Sequence, residues 1–128
     1  MSYTIDRTFD GADFEEIDAR TRAALSSQGF GVLTEIDVKA TMKKKIDKDM
    51  DDYRILGACN PNMAWEAMGL EPKVGAMLPC NVILRGVEGG VEVSAIDPLA
   101  SMEGIDNDAL KSVAGQVREM MEKVVSAI

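Results

Sequence analysis

The last segment of the chain, residues 107–128, carries apolar side chains at regular intervals of three and four residues. These side chains are Leu110, Val113, Ala114, Val117, Met120, Met121, Val124 and Ile128. The spacing predicts a long amphipathic helix. Because such a helix must bury its apolar stripe against another layer of secondary structure, the rest of the chain has to supply that layer.

Five other segments have the pattern of β-strands. In the first, Tyr3, Ile5 and Phe9 lie on one face and alternate with polar residues. The predicted strands are residues 3–9, 30–36, 53–59, a part of 74–86, and 90–96. We expect a hairpin turn at 87–90 and a loop at 97–104.

Three shorter segments predict helices between these strands, at residues 10–29, 37–47 and 60–69. Asp10 or Asp13 is expected to cap the first and Asp37 the second. The third has the strongest start, with Asn60 at the cap and Pro61 at the first helical position.

This order of elements indicates a single α+β domain over residues 1–128. We expect a mostly antiparallel sheet of about five strands, with helices packed on one face. The other face would carry Met77, Ile83 and Ile96. A partly apolar open face favours a homodimer partner or a ligand cover, and the alternative is that these are scattered exposed apolar residues.

Charge and hydropathy exclude several classes of protein. The net charge of −8 disfavours nucleic-acid binding, and the basic run at 43–45 is interpreted as a solvated helix end. No apolar run is long enough for a transmembrane helix, so no membrane partner is expected. Residues 1–16 lack the pattern of a signal peptide, which predicts a cytoplasmic protein with reduced thiols.

The chain has no histidine. Any Ser-His-Asp or Cys-His mechanism within the chain is therefore excluded, together with the histidine-bearing zinc signatures. We predict no metal site and no cofactor, and the sequence leaves open whether any reaction is catalysed.

Three motifs stand out: ILGACNP at 55–61, LPCNV at 78–82 and AIDP at 95–98. With them the chain resembles the domain-of-unknown-function 302 family from about Tyr3 to its last residue. The resemblance implies a small α+β domain with TATA-binding-protein-like topology that usually forms homodimers. It implies no reaction, substrate or cofactor, and the likeness to a DNA-binding fold carries no argument for function.

Cys59 precedes the predicted cap of the third helix, where backbone amides lack intrahelical partners and the helix dipole favours negative charge. A thiol at this position can have a lowered pKa, and a small anion can bind there. Cys59, Asn60, Asn62 and Met63 are therefore candidate ligand-binding residues. The alternative is that Asn60 is only a cap and Cys59 only a small buried residue.

Cys80, in register with Ala76 and Leu78 on an apolar strand face, is interpreted as a small core residue. Asn81 then faces the other way and needs hydrogen-bond partners, while Pro79 indicates a sheet edge or a bulge. Whether Cys59 and Cys80 meet, as a pair of thiols or a disulfide, stays open. Both cysteines and Asn81 join the candidate ligand-binding residues.

Asp97 ends the fifth predicted strand, where its carboxylate could face a pocket or simply form an Asp-Pro turn. Asp97 completes the set of candidate ligand-binding residues. The first functional hypothesis from this set is a homodimer that binds a small, perhaps anionic, ligand near Cys59 and Asn60. A second hypothesis is a thiol-dependent redox protein that uses Cys59 with Cys80. A third is a structural or regulatory dimer without a ligand.

Overall fold

A computed structural model describes residues 2–128. Five strands form one antiparallel sheet in the order β1-β5-β4-β3-β2. The strands are β1 Thr4–Asp10, β2 Gly31–Asp37, β3 Tyr53–Cys59, β4 Cys80–Val87 and β5 Gly90–Ile96. The helices are α1 Phe14–Ser27, α2 Val38–Ile46, α3 Pro61–Leu70, α4 Pro98–Ser101 and α5 Asp108–Ala127. The predicted α+β class and the antiparallel five-stranded sheet are confirmed.

The main core lies between one face of the sheet and helices α1 and α5. Alternate strand positions supply it, as the period of a half-buried strand requires. From β3, β4 and β5 these positions are Leu56, Ala58, Cys80, Val82, Leu84, Val91, Val93 and Ala95. The apolar stripe of α5 covers them, which is the packing that its spacing predicts.

Short polar side chains cap the helices. Asp13 accepts a hydrogen bond from the amide of Glu16 at the start of α1, so Asp13 and not Asp10 is the cap. Asp37 and Asn60 cap α2 and α3, as predicted. In each case a side-chain oxygen accepts from an amide that has no partner within the helix.

Three local predictions are wrong. Residues Pro72–Met77 form a 3-10 helix and β4 begins only at Cys80, so Met77 does not lie on the open sheet face. Ala76 and Leu78 are likewise not in strand register with Cys80, because proline and glycine in this stretch interrupt the strand pattern. The predicted loop at 97–104 contains α4, which is capped by Asp97.

Pro79 does not mark an edge or a bulge of its own strand. It directly precedes β4, which pairs with both β3 and β5 and is therefore the central strand. A proline is tolerated there because it stands before the first ladder residue. The register irregularity of the sheet lies in β2, between Val32 and Thr34.

Two groups of charged side chains fasten the helices to the sheet. Arg7 donates to the carbonyl oxygens of Val125, Ser126 and Ile128 at the end of α5, and its guanidinium lies 4.7 Å from the centre of the Phe9 ring. These bonds satisfy carbonyls that the helix leaves free at its C-terminal end, where a positive charge is also favoured by the dipole.

The second group joins α1 to β3. Asp18 is buried and accepts from Arg22 Nε at 2.7 Å and from Arg54 Nη1 at 2.9 Å. Burial alone would raise the pKa of Asp18, but the hydrogen bonds and charges of Arg22 and Arg54 hold that pKa below its usual value. Arg54 also pairs with the exposed Glu15.

The other face of the sheet forms a shallow basin of about 490 Å³. Ile83 and Ile96 line it as half-buried side chains, together with Tyr3, Asp6 and Asn81. We call this surface the open-face basin.

Candidate functional site

A small, partly open cavity of about 40 Å³ lies where β3 ends and β4 begins. Helices α3 and α5 close it from the other side, so that it lies where the main core meets a second, smaller apolar cluster. Residues that line the cavity include Cys59, Asn60, Met63, Cys80, Met102 and Ala114. Met63 and Leu78 pack against both apolar clusters. The cavity therefore lies at a junction between two packed regions.

Asn60 holds the strand-to-helix turn at the rim of this cavity. Its Oδ1 accepts from the amide of Met63 at 3.3 Å, which satisfies one free donor of α3. Its Nδ2 donates to the carbonyl of Gln28 at 3.3 Å and lies 3.8 Å from Met120 Sδ. The polar atoms of Asn60 and the Met63 amide thus already have partners within the chain.

Cys59 and Cys80 both line the cavity as free thiols. Cys80 is buried at the start of β4 and is paired in register with Ala58, while Cys59 is half-buried at the end of β3. Burial raises the pKa of Cys80 to about 11, and the nearby Cys59 contributes in the same direction. The Cys80 thiol is therefore protonated at neutral pH.

The other predicted site residues do not line this cavity. Asn62 is exposed on the first turn of α3. Asn81 lies on the opposite sheet face, in the open-face basin. The structure thus brings together four of the seven candidates, namely Cys59, Asn60, Met63 and Cys80.

Asp97 has both of its carboxylate oxygens occupied at a separate place. Oδ1 accepts from the amide of Leu99 at 2.9 Å, and Oδ2 accepts from Arg118 Nε at 2.9 Å. Asp97 thus caps α4 and fastens it to α5, and it also lines an open surface groove with Lys111 and Arg118.

The sequence did not indicate the far wall of the cavity, which includes Met102, Ala67 and Ala114. Met102 falls in the segment predicted as a loop, and the two alanines come from different helices. No local pattern shows that these residues face one another. The one available signal is small side chains at buried positions of α3 and α5, which allow the helices to leave a gap.

Within residues 2–128, no group of three or more His, Cys, Asp or Glu side chains is arranged to hold a metal ion. The helices of that same range include none that is both long enough and apolar enough to cross a bilayer.

The strand order and the helices define a small α+β fold with a five-stranded antiparallel sheet. The family model described as "Domain of unknown function DUF302" matches residues 5–128, and the chain belongs to this family. The crystal structure of the uncharacterized conserved protein DUF302 from Bacillus stearothermophilus superposes with a TM-score of 0.92. Its sequence is 21% identical, and the match covers 99% of this chain and 98% of that chain. No curated protein matches the sequence.

Proposed function

We propose that this chain is a homodimeric binding module that holds a small, mostly apolar ligand in the cavity beside Cys59 and Cys80. The observation that carries the proposal is the chemistry of the lining. Apart from Asn60, every lining side chain is aliphatic, aromatic or sulfur-containing, and Asn60 has its polar atoms engaged within the chain. A cavity of this kind stays dry and gains free energy when an apolar group fills it.

The lining favours a neutral ligand over the anion suggested by the sequence. No cationic side chain lines the cavity, and the Met63 amide is occupied by Asn60. A buried anion without a charged or hydrogen-bonding partner would lose its solvation without compensation.

The size of the cavity sets the size of the ligand. About 40 Å³ is far smaller than the roughly 150 Å³ of an apolar cavity that binds benzene, so this cavity accommodates a gas atom or a group of a few carbon atoms. Met63 and Met102 lie in the wall, and methionine side chains change rotamer easily. A somewhat larger molecule, such as a single aromatic ring, would enter by displacing these two side chains.

The redox hypothesis has one observation in its favour, since Cys59 and Cys80 line the same cavity. The state of Cys80 argues against it, because a thiol with a pKa of about 11 contributes little thiolate at neutral pH. We therefore propose ligand binding first and thiol chemistry second. A structural or regulatory dimer without a ligand is the third proposal.

The homodimer, the TATA-binding-protein-like topology, the single-domain organisation and the cytoplasmic location stay predictions. Support for the homodimer comes from the partly apolar open-face basin.

The cavity proposal is tested by filling the space. In the variant Ala114→Leu, the larger side chain occupies the gap between α3 and α5. The matched control is Ala109→Leu, the same change at an exposed position of α5. Xenon, dissolved under pressure in a solution of isotope-labelled protein, should shift the amide resonances around Met63 and Cys80 in the natural protein and the control, but not in Ala114→Leu. Equal shifts in all three proteins, or none in the natural protein, would refute the proposal.

A further inference from the structure

Four sulfur-bearing side chains line the cavity where β3 ends and β4 begins. They are Cys59 at the end of β3, Met63 in the first turn of α3, Cys80 at the start of β4 and Met102 just after α4. The chain has two cysteines, and both therefore meet at this one place. The charge of Cys59 helps to raise the pKa of Cys80, which places these two sulfur atoms near each other. The cavity thus collects sulfur donors from four separate segments of the chain.

The two methionines leave the space beside them empty. Methionine usually fills irregular gaps in a core, because its unbranched side chain adapts to them. Met102 is buried and Met63 half-buried, yet both line a gap of about 40 Å³ that they do not fill. This volume is slightly larger than the roughly 30 Å³ that one water molecule takes up in the liquid. A single ion smaller than water therefore fits beside the sulfur atoms.

The donor atoms select the class of ion. Thiolate and thioether ligands are soft and favour Cu(I), whereas Ca²⁺ and Mg²⁺ take oxygen ligands. Asn60, the one polar side chain of the lining, has its amide engaged with Gln28 and Met63. No three His, Cys, Asp or Glu side chains are grouped for a metal ion among residues 2–128, but thioethers do not belong to that set. The lining therefore suits a soft monovalent cation.

We propose that the cavity is a Cu(I) site in which Cys59 supplies a thiolate and Met63 and Met102 supply thioethers. On binding, the S–H bond of Cys59 breaks, its proton passes to solvent, and a sulfur–copper bond forms. Copper remains Cu(I) throughout, so the step needs no oxidant or reductant. Because Cys59 is half-buried and the cavity is partly open, the ion can enter and the proton can leave.

The charge balance assigns the thiolate to Cys59 alone. One thiolate with Cu(I) forms a neutral centre, which an apolar lining tolerates. A second thiolate would leave a net negative charge there, and burial already raises the pKa of Cys80 to about 11. Cys80 therefore stays a protonated thiol beside the ion. The net charge of −8 on the chain favours the approach of a cation from solution.

This inference goes beyond the proposed function, because it names a metal ion as an occupant of the same cavity. The two occupants exclude each other. Protein loaded with Cu(I) should therefore no longer show the xenon-induced shifts around Met63 and Cys80.

The site is tested by titrating Cu(I), added as its acetonitrile complex under nitrogen, in competition with the chelator bicinchoninate. The natural protein should withdraw one Cu(I) per chain. Cys59→Ala should lower the affinity at least about hundredfold and Met63→Leu at least about tenfold, since loss of a group that only orients a metal ligand already costs about 10–100-fold. The matched controls are Cys80→Ala and Met68→Leu, the second at an exposed position of α3. Both should bind Cu(I) with nearly natural affinity.

The methyl resonances of isotope-labelled methionines give a second measurement. Cu(I) should shift those of Met63 and Met102 and leave those of the exposed Met42 and Met68 unchanged. A natural protein that withdraws no Cu(I), equal losses in a variant and its matched control, or shifts confined to the exposed methionines would overturn the copper site. Xenon binding by a protein that takes no Cu(I) would overturn the copper site alone. Cu(I) binding by a protein that takes no xenon would support the copper site and overturn the apolar-ligand proposal.

Discussion

The buried thiol of Cys80 makes a quantitative prediction about stability at alkaline pH. Its pKa is raised from 9.0 to about 11 in the folded protein, chiefly by burial. Below pH 9 the thiol keeps its proton in both the folded and the unfolded chain, and its full contribution is present. Between pH 9 and 11 the unfolded chain releases the proton while the folded protein keeps it. Stability is therefore lost as the pH rises through this window.

The size of the loss follows from the shift. One pKa unit corresponds to about 1.4 kcal/mol, so a shift of about two units removes about 2 kcal/mol of unfolding free energy by pH 10.5. Tyrosines and lysines titrate in the same range, so the measurement needs a reference that shares them. The variant Cys80→Ala provides it, because it lacks only this thiol.

The assay is urea unfolding of both proteins at pH 8 and pH 10.5. At pH 8 the variant should be less stable, since it loses buried contacts of the sulfur. At pH 10.5 the difference between the proteins should have moved by about 2 kcal/mol in favour of the variant. If the two stabilities fall in parallel between these pH values, Cys80 is not the buried, protonated thiol described above.

Three further predictions concern contacts that hold the fold together. Asp18→Ala leaves two arginines without their buried partner and should lower the unfolding free energy by about 2–4 kcal/mol in a urea titration. Glu15→Ala, which removes an exposed carboxylate of the same group, should lower it by less than about 1 kcal/mol. Equal losses for the two variants would contradict the role of the buried Asp18. Arg7→Met removes the donor to the last carbonyls of α5 and should lower the unfolding free energy by about 1–2 kcal/mol, which is measured as a lower melting temperature. An unchanged melting temperature would show that these hydrogen bonds do not stabilise the fold. Gly57→Ala places a methyl group against Thr34 Oγ1, its nearest neighbour, and 2.7 Å from the Pro79 ring, so it should cost about 1–3 kcal/mol. Gly104→Ala, with nothing within 4 Å, should be nearly neutral, and similar costs for both would refute the close approach.

Periodicity and capping chemistry predicted most of the fold. Alternation predicted the first and fifth strands and the 3–4 spacing predicted α5, because both patterns follow from which face of an element is buried. The fourth strand was predicted only as a part of 74–86, and its start at Cys80 was not. Asn60 was predicted as a cap because its side chain satisfies amides that every helix leaves free. The 3-10 helix at 72–77 was missed, since its residues carry apolar side chains that also suit a strand.

The candidate site was predicted only as far as it is local in sequence. Cys59, Asn60 and Met63 are near neighbours along the chain, and the structure places them at one cavity. The opposing wall, with Ala67, Ala114 and Met102, depends on how α3 and α5 pack. The contact between Asn60 Nδ2 and the Gln28 carbonyl is also long-range, whereas the Met63 amide that suggested an anion is engaged locally by Asn60 Oδ1. Such contacts leave no periodic signal in the sequence.

The central claim is that the space between Met63, Cys80 and Ala114 is a dry apolar site that accepts a small neutral ligand. A crystal structure of the natural protein under xenon pressure tests this claim directly. The account predicts a xenon atom inside this cavity, in contact with the sulfur and carbon atoms of its wall. Ordered water or an anion in that space, or xenon bound elsewhere while the cavity stays empty, would contradict it.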